Sequence, residues 1–172
     1  DVDDAIWLRL QLTKGFAKKI VRHMEGLICG NEWITDYFSD SNVPIWIVPT
    51  GIDTKRWKPP FSPLSLKTFY LGWIGTSGNY PYLYEIEEAL FAFFSKFPET
   101  KILIVADRKP RFSCLSEKNI HFQAWSKEIE VQAIQKMSVG LMPLKDSDWE
   151  RGKCSFKMLL YMSTGIPVIA SP

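Results

Sequence analysis

The sequence predicts an α/β fold: a mainly parallel sheet with helices on both faces. Three observations predict it. Apolar, strand-like runs alternate with stretches of helical periodicity, the order that βαβ units produce. Two of the runs, ILIVA within 101–106 and PVIA at 167–170, are almost continuously apolar, as strands covered on both faces must be. The segment 139–172, VGLMPLKDSDWERGKCSFKMLLYMSTGIPVIASP, reads as strand, polar loop, helix and strand.

Taken in order, residues 8–25 show helical spacing. Phe16, Ile20, Val21 and Met24 share one face, and Lys14, Lys18, Lys19 and Arg22 decorate the rest. Gly26 ends that helix. Leu27–Cys29 reads as a short buried strand, with a turn at Gly30 and Asn31. A short helix over 32–39 and a strand over 44–48 follow, then the loop PTGIDTKRWKPP. Pro59, Pro60 and Pro63, with serines between, read as a linker. The pattern restarts with an apolar strand over 68–74, a polar turn at 75–79 and a helix near 81–97. Leu83, Ile86, Leu90, Phe93, Phe94 and Phe97 line the buried side of that helix. Strands over 101–106, 119–122, 139–142 and 167–170, with helices over 126–136 and 154–164, complete the order. No internal repeat or low-complexity segment is visible.

A chain of 172 residues holds one full domain, or one domain and part of another. Apolar residues make up 46 %, which is ample for a packed core and excludes a disordered composition. The net charge of +2, with no basic block, gives no reason to expect nucleic acid. Cys29, Cys114 and Cys154 are far apart and form no CxxC pair, so neither a zinc site nor a disulfide framework is expected, and a reducing cytosol fits best. His23 and His121 lack metal-ligand spacing, and no metal or cofactor is expected. No signal peptide is expected, and no apolar run nears the roughly 18 residues that span a bilayer. Lys14, Lys18, Lys19, Arg22 and His23 form a basic face that is either solvated or touches anionic lipid at the inner side of a membrane. The chain opens without Met and stops after an apolar run, and is expected to be a fragment of a longer protein, inactive by itself.

Open parallel sheets bind ligands outside the carboxyl ends of their strands. That rule selects four loops here, 75–79, 107–112, 123–126 and 143–155, which also hold the unusual polar residues. The last of them delivers Lys153 and Lys157 to the start of a helix. A helix N-terminus presents unpaired N–H groups and a partial positive charge, so lysines there make a seat for phosphate, such as the diphosphate of a nucleotide. Ser155 and Phe156 would add backbone N–H groups. Gly75, Thr76 and Ser77, with Gly78, either let backbone approach a ligand or simply make a tight turn. Trp125 and Asp107 stand at strand ends, Trp125 near the place expected for a base; packing is the alternative for each. Glu150 is either a sugar contact or a solvated acid, and Asp146 and Asp148 read as solvated or helix-entry residues. The DVDD opening lacks the surroundings of a phosphatase aspartate pair and reads as a loop.

These residues carry a resemblance. DVDDAIW, VPTGIDTKRWKP, LGWIGTSGNYPYL and ERGKCSFKMLLYMSTGIPVIASP together resemble glycosyltransferase family 4, the retaining GT-B enzymes, and look closest to bacterial members with a GKCxxK loop. The resemblance implies a GT-B-like fold. Residues 1–58 would be the end of an N-terminal, acceptor-side domain, 59–66 a linker, and 67–172 a truncated, Rossmann-like, nucleotide-sugar-side domain. It implies transfer of a sugar from a nucleotide-sugar donor to a saccharide or lipid-linked acceptor, with retention, in the cytoplasm. Lys157, Lys153 and Glu150 would be the catalytic group, without a metal. The family's Glu-x7-Glu motif falls on Gly152 and Leu160, so both glutamates are absent in register, and ribose binding at the Leu160 position must use other groups. That departure leaves two alternatives open: a non-catalytic nucleotide-sugar-binding or scaffold domain, and a sugar-nucleotide epimerase of the same shape.

Overall fold

The computed structural model describes residues 1–9, 15–61 and 68–171. In chain order its elements are α1 (Phe16–Val21), β1 (Leu27–Cys29), α2 (Glu32–Phe38), β2 (Ile45–Ile47), β3 (Tyr70–Ile74), α3 (Tyr80–Glu85), α4 (Glu87–Lys96), β4 (Lys101–Ala106), β5 (Ile120–Ala124), α5 (Glu130–Gln135), β6 (Val139–Met142), α6 (Asp148–Arg151), α7 (Phe156–Ser163) and β7 (Val168–Ala170). They fall into two compact units. The smaller comprises Asp1–Gly51 with Lys145–Phe156, and the larger Ile52–Leu144 with the chain from Lys157 onward. The proline-rich stretch expected as a linker lies largely outside the described residues, at 62–66.

The larger unit is built on one five-stranded sheet, in the order β5-β4-β3-β6-β7, with every pairing parallel. β4 shows why its sequence is continuously apolar. Ile102, Ile104 and Ala106 enter one core with Leu83, Leu90 and Phe94 of α3 and α4. Leu103 and Val105 enter a second core with Ala133 and Ile134 of α5 and Leu160 and Tyr161 of α7. Side chains alternate across a strand, so a strand covered on both faces needs apolar residues at every position. Trp57 is buried in the second core, and Arg56 pairs with Glu130 at 3.1 Å, which ties Ile52–Lys58 into this unit.

The smaller unit pairs β1 with β2 in parallel, with a bridge from Val2 to Cys29. Ala17, Val21, Ile34 and Phe38 pack on these strands. Asn31 caps α2 by accepting the Ile34 N–H at 2.9 Å. β1 departs from a wholly buried strand, since Ile28 is exposed between buried Leu27 and Cys29.

The helices differ from the sequence reading in length and, in one case, in face. Of the helix expected over 8–25, residues 10–14 lie outside the described residues, and α1 ends at Val21, well before Gly26. It turns Ala17 and Val21 inward, while Phe16, Ile20 and Met24 are exposed. The helix expected over 81–97 is two, broken at Ile86 (φ −99°, ψ 11°). Beside the break Glu87 turns inward, buried, and accepts the N–H groups of Cys114 at 2.6 Å and Leu115 at 3.3 Å. Phe97, expected inside, caps the end of α4 and is exposed. The 126–136 helix shortens to α5. The helix expected from 154 starts at Phe156, because Ser155 has φ +52°, a left-handed conformation that no helical residue adopts.

Candidate functional site

The winding of the large sheet reverses between β3 and β6: β4 and β5 extend to one side of β3, and β6 and β7 to the other. Ligand crevices form at such reversals, outside the carboxyl ends of the two strands. Of the four strand-end loops singled out in the sequence, those after β3 and β6 flank this point. The two strands pair only through Leu71↔Val139 and Gly72↔Gly140, and beyond that they part. Tyr161 fills the gap. Its hydroxyl accepts the N–H of Ile74 at 3.0 Å and donates to the Leu141 carbonyl at 3.4 Å. Burial pushes the phenol well above its ordinary pKa, against a smaller downward pull from the Ile74 N–H, so the group stays a neutral donor. The ring fits because residue 140 is glycine: a Cβ there would lie 2.4 Å from Tyr161 Cγ.

Lys157 is the second residue of α7, rather than one turn into it. It lies beside Gly75 at the end of β3. A Cβ on Gly75 would approach Lys157 Cε to 2.9 Å and the Trp73 ring to 2.7 Å. Lys157 Nζ stands 6.0 Å from the Trp73 ring centroid. A cation, the first turn of a helix and a bare stretch of backbone therefore meet at the reversal point. That arrangement suits an anion.

The rest of the loop after β3 is held by Asp107 at the end of β4. Asp107 accepts the Ser77 N–H at 2.6 Å and the Ser77 hydroxyl at 2.7 Å, with Arg108 Nε at 3.3 Å. These bonds, the Ser77 hydroxyl foremost, hold its carboxyl down at a pKa of about 2. Both oxygens thus serve the loop. Thr76 is exposed, and its Oγ1 accepts from Asn79 Nδ2 at 3.1 Å. Tyr80 donates its hydroxyl to the Arg108 carbonyl, and burial, with Asp107 nearby, pushes its pKa up to about 12. Trp125 follows β5, 48 % exposed, with its backbone N–H bonded to the Ala106 carbonyl at 2.9 Å. Leu160, at the position of the second motif glutamate, is 3 % exposed and packed in the core with Ile134 and Tyr161.

The remaining candidates belong to the smaller unit, where Lys145–Phe156 packs on the N-terminal residues. Gly152 abuts Ala5: a Cβ would lie 2.7 Å from Ala5 Cβ and 2.9 Å from its backbone nitrogen. No glutamate fits there. Cys154 Sγ contacts the Asp3 carbonyl at 3.2 Å, and Asn31 Nδ2 reaches the Arg151 carbonyl at 3.4 Å. Trp149 carries Arg9 over its ring at 4.0 Å and Lys153 at 5.1 Å. Glu150 lies in α6 and accepts the Ser147 hydroxyl; Asp146 pairs with Arg151 at 2.9 Å, and Asp148 opens α6. Ser155 is half-buried and Phe156 exposed. The geometry thus brings Lys157 to Gly75 and Ser77 to Asp107. Tyr161 and Glu87 escaped the sequence reading. The signal for Tyr161 is the glycine it faces in the middle of an apolar strand; none marks Glu87.

No protein-family model and no curated protein sequence matches the chain. Solved structures do match in fold. TarM has a TM-score of 0.63 at 13 % identity, covering 90 % of this chain and 31 % of that one. The pneumococcal O-GlcNAc transferase GtfA, in complex with UDP and GlcNAc, has a TM-score of 0.59 at 11 % identity, covering 90 % and 31 %. The glycosylation associate protein (Gap123) complex from Streptococcus agalactiae has a TM-score of 0.55 at 14 % identity, covering 91 % and 35 %. The chain spans about a third of the length of each. Its fold is α/β and GT-B-like, with a parallel five-stranded sheet and flanking helices.

Proposed function

We propose that the chain is part of a glycosyltransferase that moves a sugar from a nucleotide-sugar donor to a saccharide or lipid-linked acceptor. The observation that carries the reading is the meeting of Lys157 with Gly75 at the reversal between β3 and β6. There the donor's diphosphate would lie against bare backbone and the first turn of α7. As the anomeric C–O bond breaks, negative charge grows on the leaving diphosphate. Lys157 and the helix N–H groups would stabilise it without rearrangement. Lys153 is assigned the same task on sequence grounds alone, and Glu150, Trp125, Ser155 and Phe156 remain contacts to test. The fold likeness to an O-GlcNAc transferase solved with UDP supports the donor class. Retention of configuration, membership of family 4, a reaction without metal or cofactor, and a site of action in the cytoplasm, peripheral to the membrane, extend the reading on the resemblance of the GKCxxK segment. The division at 1–58 and 67–172 into acceptor-side and donor-side domains belongs to the same proposal.

A second reading has its own observation. Gly152 has no room for a side chain and Leu160 is buried, so neither position can supply a glutamate. This favours a nucleotide-sugar-binding scaffold without turnover, and one fold neighbour is itself a glycosylation associate protein complex. Calorimetric titration with UDP, GDP, ADP and dTDP, beside Lys157→Ala, tests the part the two readings share. Selective binding of one nucleotide, weakened about tenfold or more by the loss of a charged hydrogen bond, is expected. Binding unaffected by the substitution overturns the site. Transfer from the matching nucleotide-sugar then separates enzyme from scaffold.

A further inference from the structure

The loop after β4 is held at four points, by Ser77 of the loop after β3 and by three side chains of α3 and α4. Ser77 binds Asp107, the Tyr80 hydroxyl donates to the Arg108 carbonyl, the Tyr84 hydroxyl accepts the Arg111 N–H at 3.3 Å, and Glu87 accepts the Cys114 and Leu115 N–H groups. Pro110 is buried, and Phe112 packs edge-on to Tyr84, 5.5 Å between centroids. This grip holds three cations, Arg108, Lys109 and Arg111, within four residues. They border an open cavity of about 430 Å³, with Ser77, Gly78, Tyr80 and Tyr84 as its other walls. Two acids offset part of the charge: Asp107 meets Arg108 Nε, and Glu117 pairs with Lys109. The first contact uses one of the five N–H donors of Arg108, whose side chain is 81 % exposed.

We propose that this cavity binds a phosphorylated saccharide, with phosphate on Arg108, Lys109 and Arg111 and the sugar against Tyr84, the exposed one of the two tyrosines. Guanidinium groups match phosphate oxygens in pairs, and an aromatic side chain offers both an apolar face and a hydroxyl. The volume falls within the range of small-molecule sites. The site is separate from Lys157: the loop after β3 faces Lys157 through Gly75 and this cavity through Ser77 and Gly78. The saccharide part rests on the glycosyltransferase reading; the phosphate part stands on the loop itself.

The test is an amide chemical-shift titration of the ¹⁵N-labelled chain with glucose 1-phosphate, methyl glucoside and inorganic phosphate. Wild type, Lys157→Ala and the double variant Lys109→Ala/Arg111→Ala are compared, a shared dispersed spectrum showing that each is folded. Glucose 1-phosphate is expected to shift the Gly78, Lys109 and Arg111 amides saturably in wild type and in Lys157→Ala. The double variant should bind at least about tenfold more weakly, and the other two probes should bind more weakly than glucose 1-phosphate. No saturable shift at these amides, an undiminished affinity in the double variant, or equal binding of either simpler probe overturns the proposal. Failure of the donor site alone would appear as nucleotide binding indifferent to Lys157→Ala, with this titration unchanged.

Discussion

Replacing Tyr161 by phenylalanine removes a single oxygen from the point where β3 and β6 part. The ring keeps its place against Gly140, so no cavity of note opens. What is lost is a partner for two buried backbone groups, the Ile74 N–H at 3.0 Å and the Leu141 carbonyl at 3.4 Å. The first bond is well formed and the second is long, so the cost is dominated by the orphaned N–H. An unsatisfied buried donor costs about 1–3 kcal/mol. For a chain of this size that lowers the melting temperature by roughly 2–12 °C. Tyr161→Ala adds the loss of a buried ring and should cost a further ~3–5 kcal/mol on the scale of aromatic truncations. Thermal and urea unfolding followed by circular dichroism measure the two variants, and hydrogen exchange at the Ile74 amide localises the effect. Faster exchange at Ile74 in Tyr161→Phe, with a modest drop in stability, is the expected result. Wild-type stability with unchanged Ile74 protection would refute the bridging role.

Gly75→Ala puts a Cβ 2.9 Å from Lys157 Cε and 2.7 Å from the Trp73 ring; calorimetry should show nucleotide binding weakened about tenfold as the lysine is displaced, while circular dichroism shows the fold kept. Gly152→Glu, which would restore the glutamate missing from the motif, should instead destabilise the smaller unit by about 1–3 kcal/mol through collision with Ala5, read as a lower urea midpoint. Glu87→Gln keeps the shape and loses the charge. Burial opposes that charge, but the N–H groups of Cys114 and Leu115 outweigh it and hold the carboxyl below its ordinary pKa, so a loss of about 1–2 kcal/mol and faster exchange at Cys114 are expected. The carboxyl of Asp107 has a lowered folded-state pKa, about 2 against 3.8. Its contribution is therefore complete above about pH 4 and is lost as pH falls towards 2; the Ser77 amide signal, followed by NMR, should keep its position to about pH 3 in wild type, and Asp107→Ala should abolish the transition.

Strand positions were legible because burial on both faces demands unbroken apolar runs. β4 and β6 stand at the bounds read from the sequence for that reason, and β1 does so although its Ile28 is exposed. Helix lengths were less so, since apolar spacing runs on into turns. Ile86 keeps the helical pattern while leaving helical geometry, because Glu87 beside it is drawn to the N–H groups of Cys114 and Leu115 far along the chain. In α1, of the four residues expected to share the apolar face, Val21 is buried, while Phe16, Ile20 and Met24 are exposed and Ala17 takes the inward position beside Val21. The strand-end rule led to Gly75 and Lys157, which do lie together. It also led to Asp107, whose actual partner, Ser77, lies 30 residues away and no local pattern announces. The unreadable positions share one cause: their partners are set by tertiary packing.

The central claim is that a nucleotide diphosphate sits between Gly75 and the first turn of α7. Amide chemical-shift mapping of the labelled chain, titrated with the nucleoside diphosphate that calorimetry selects, tests it most directly. The account predicts the largest shifts at Gly75, Phe156 and Lys157, and their loss in Lys157→Ala. Saturable binding with those amides unmoved would contradict it.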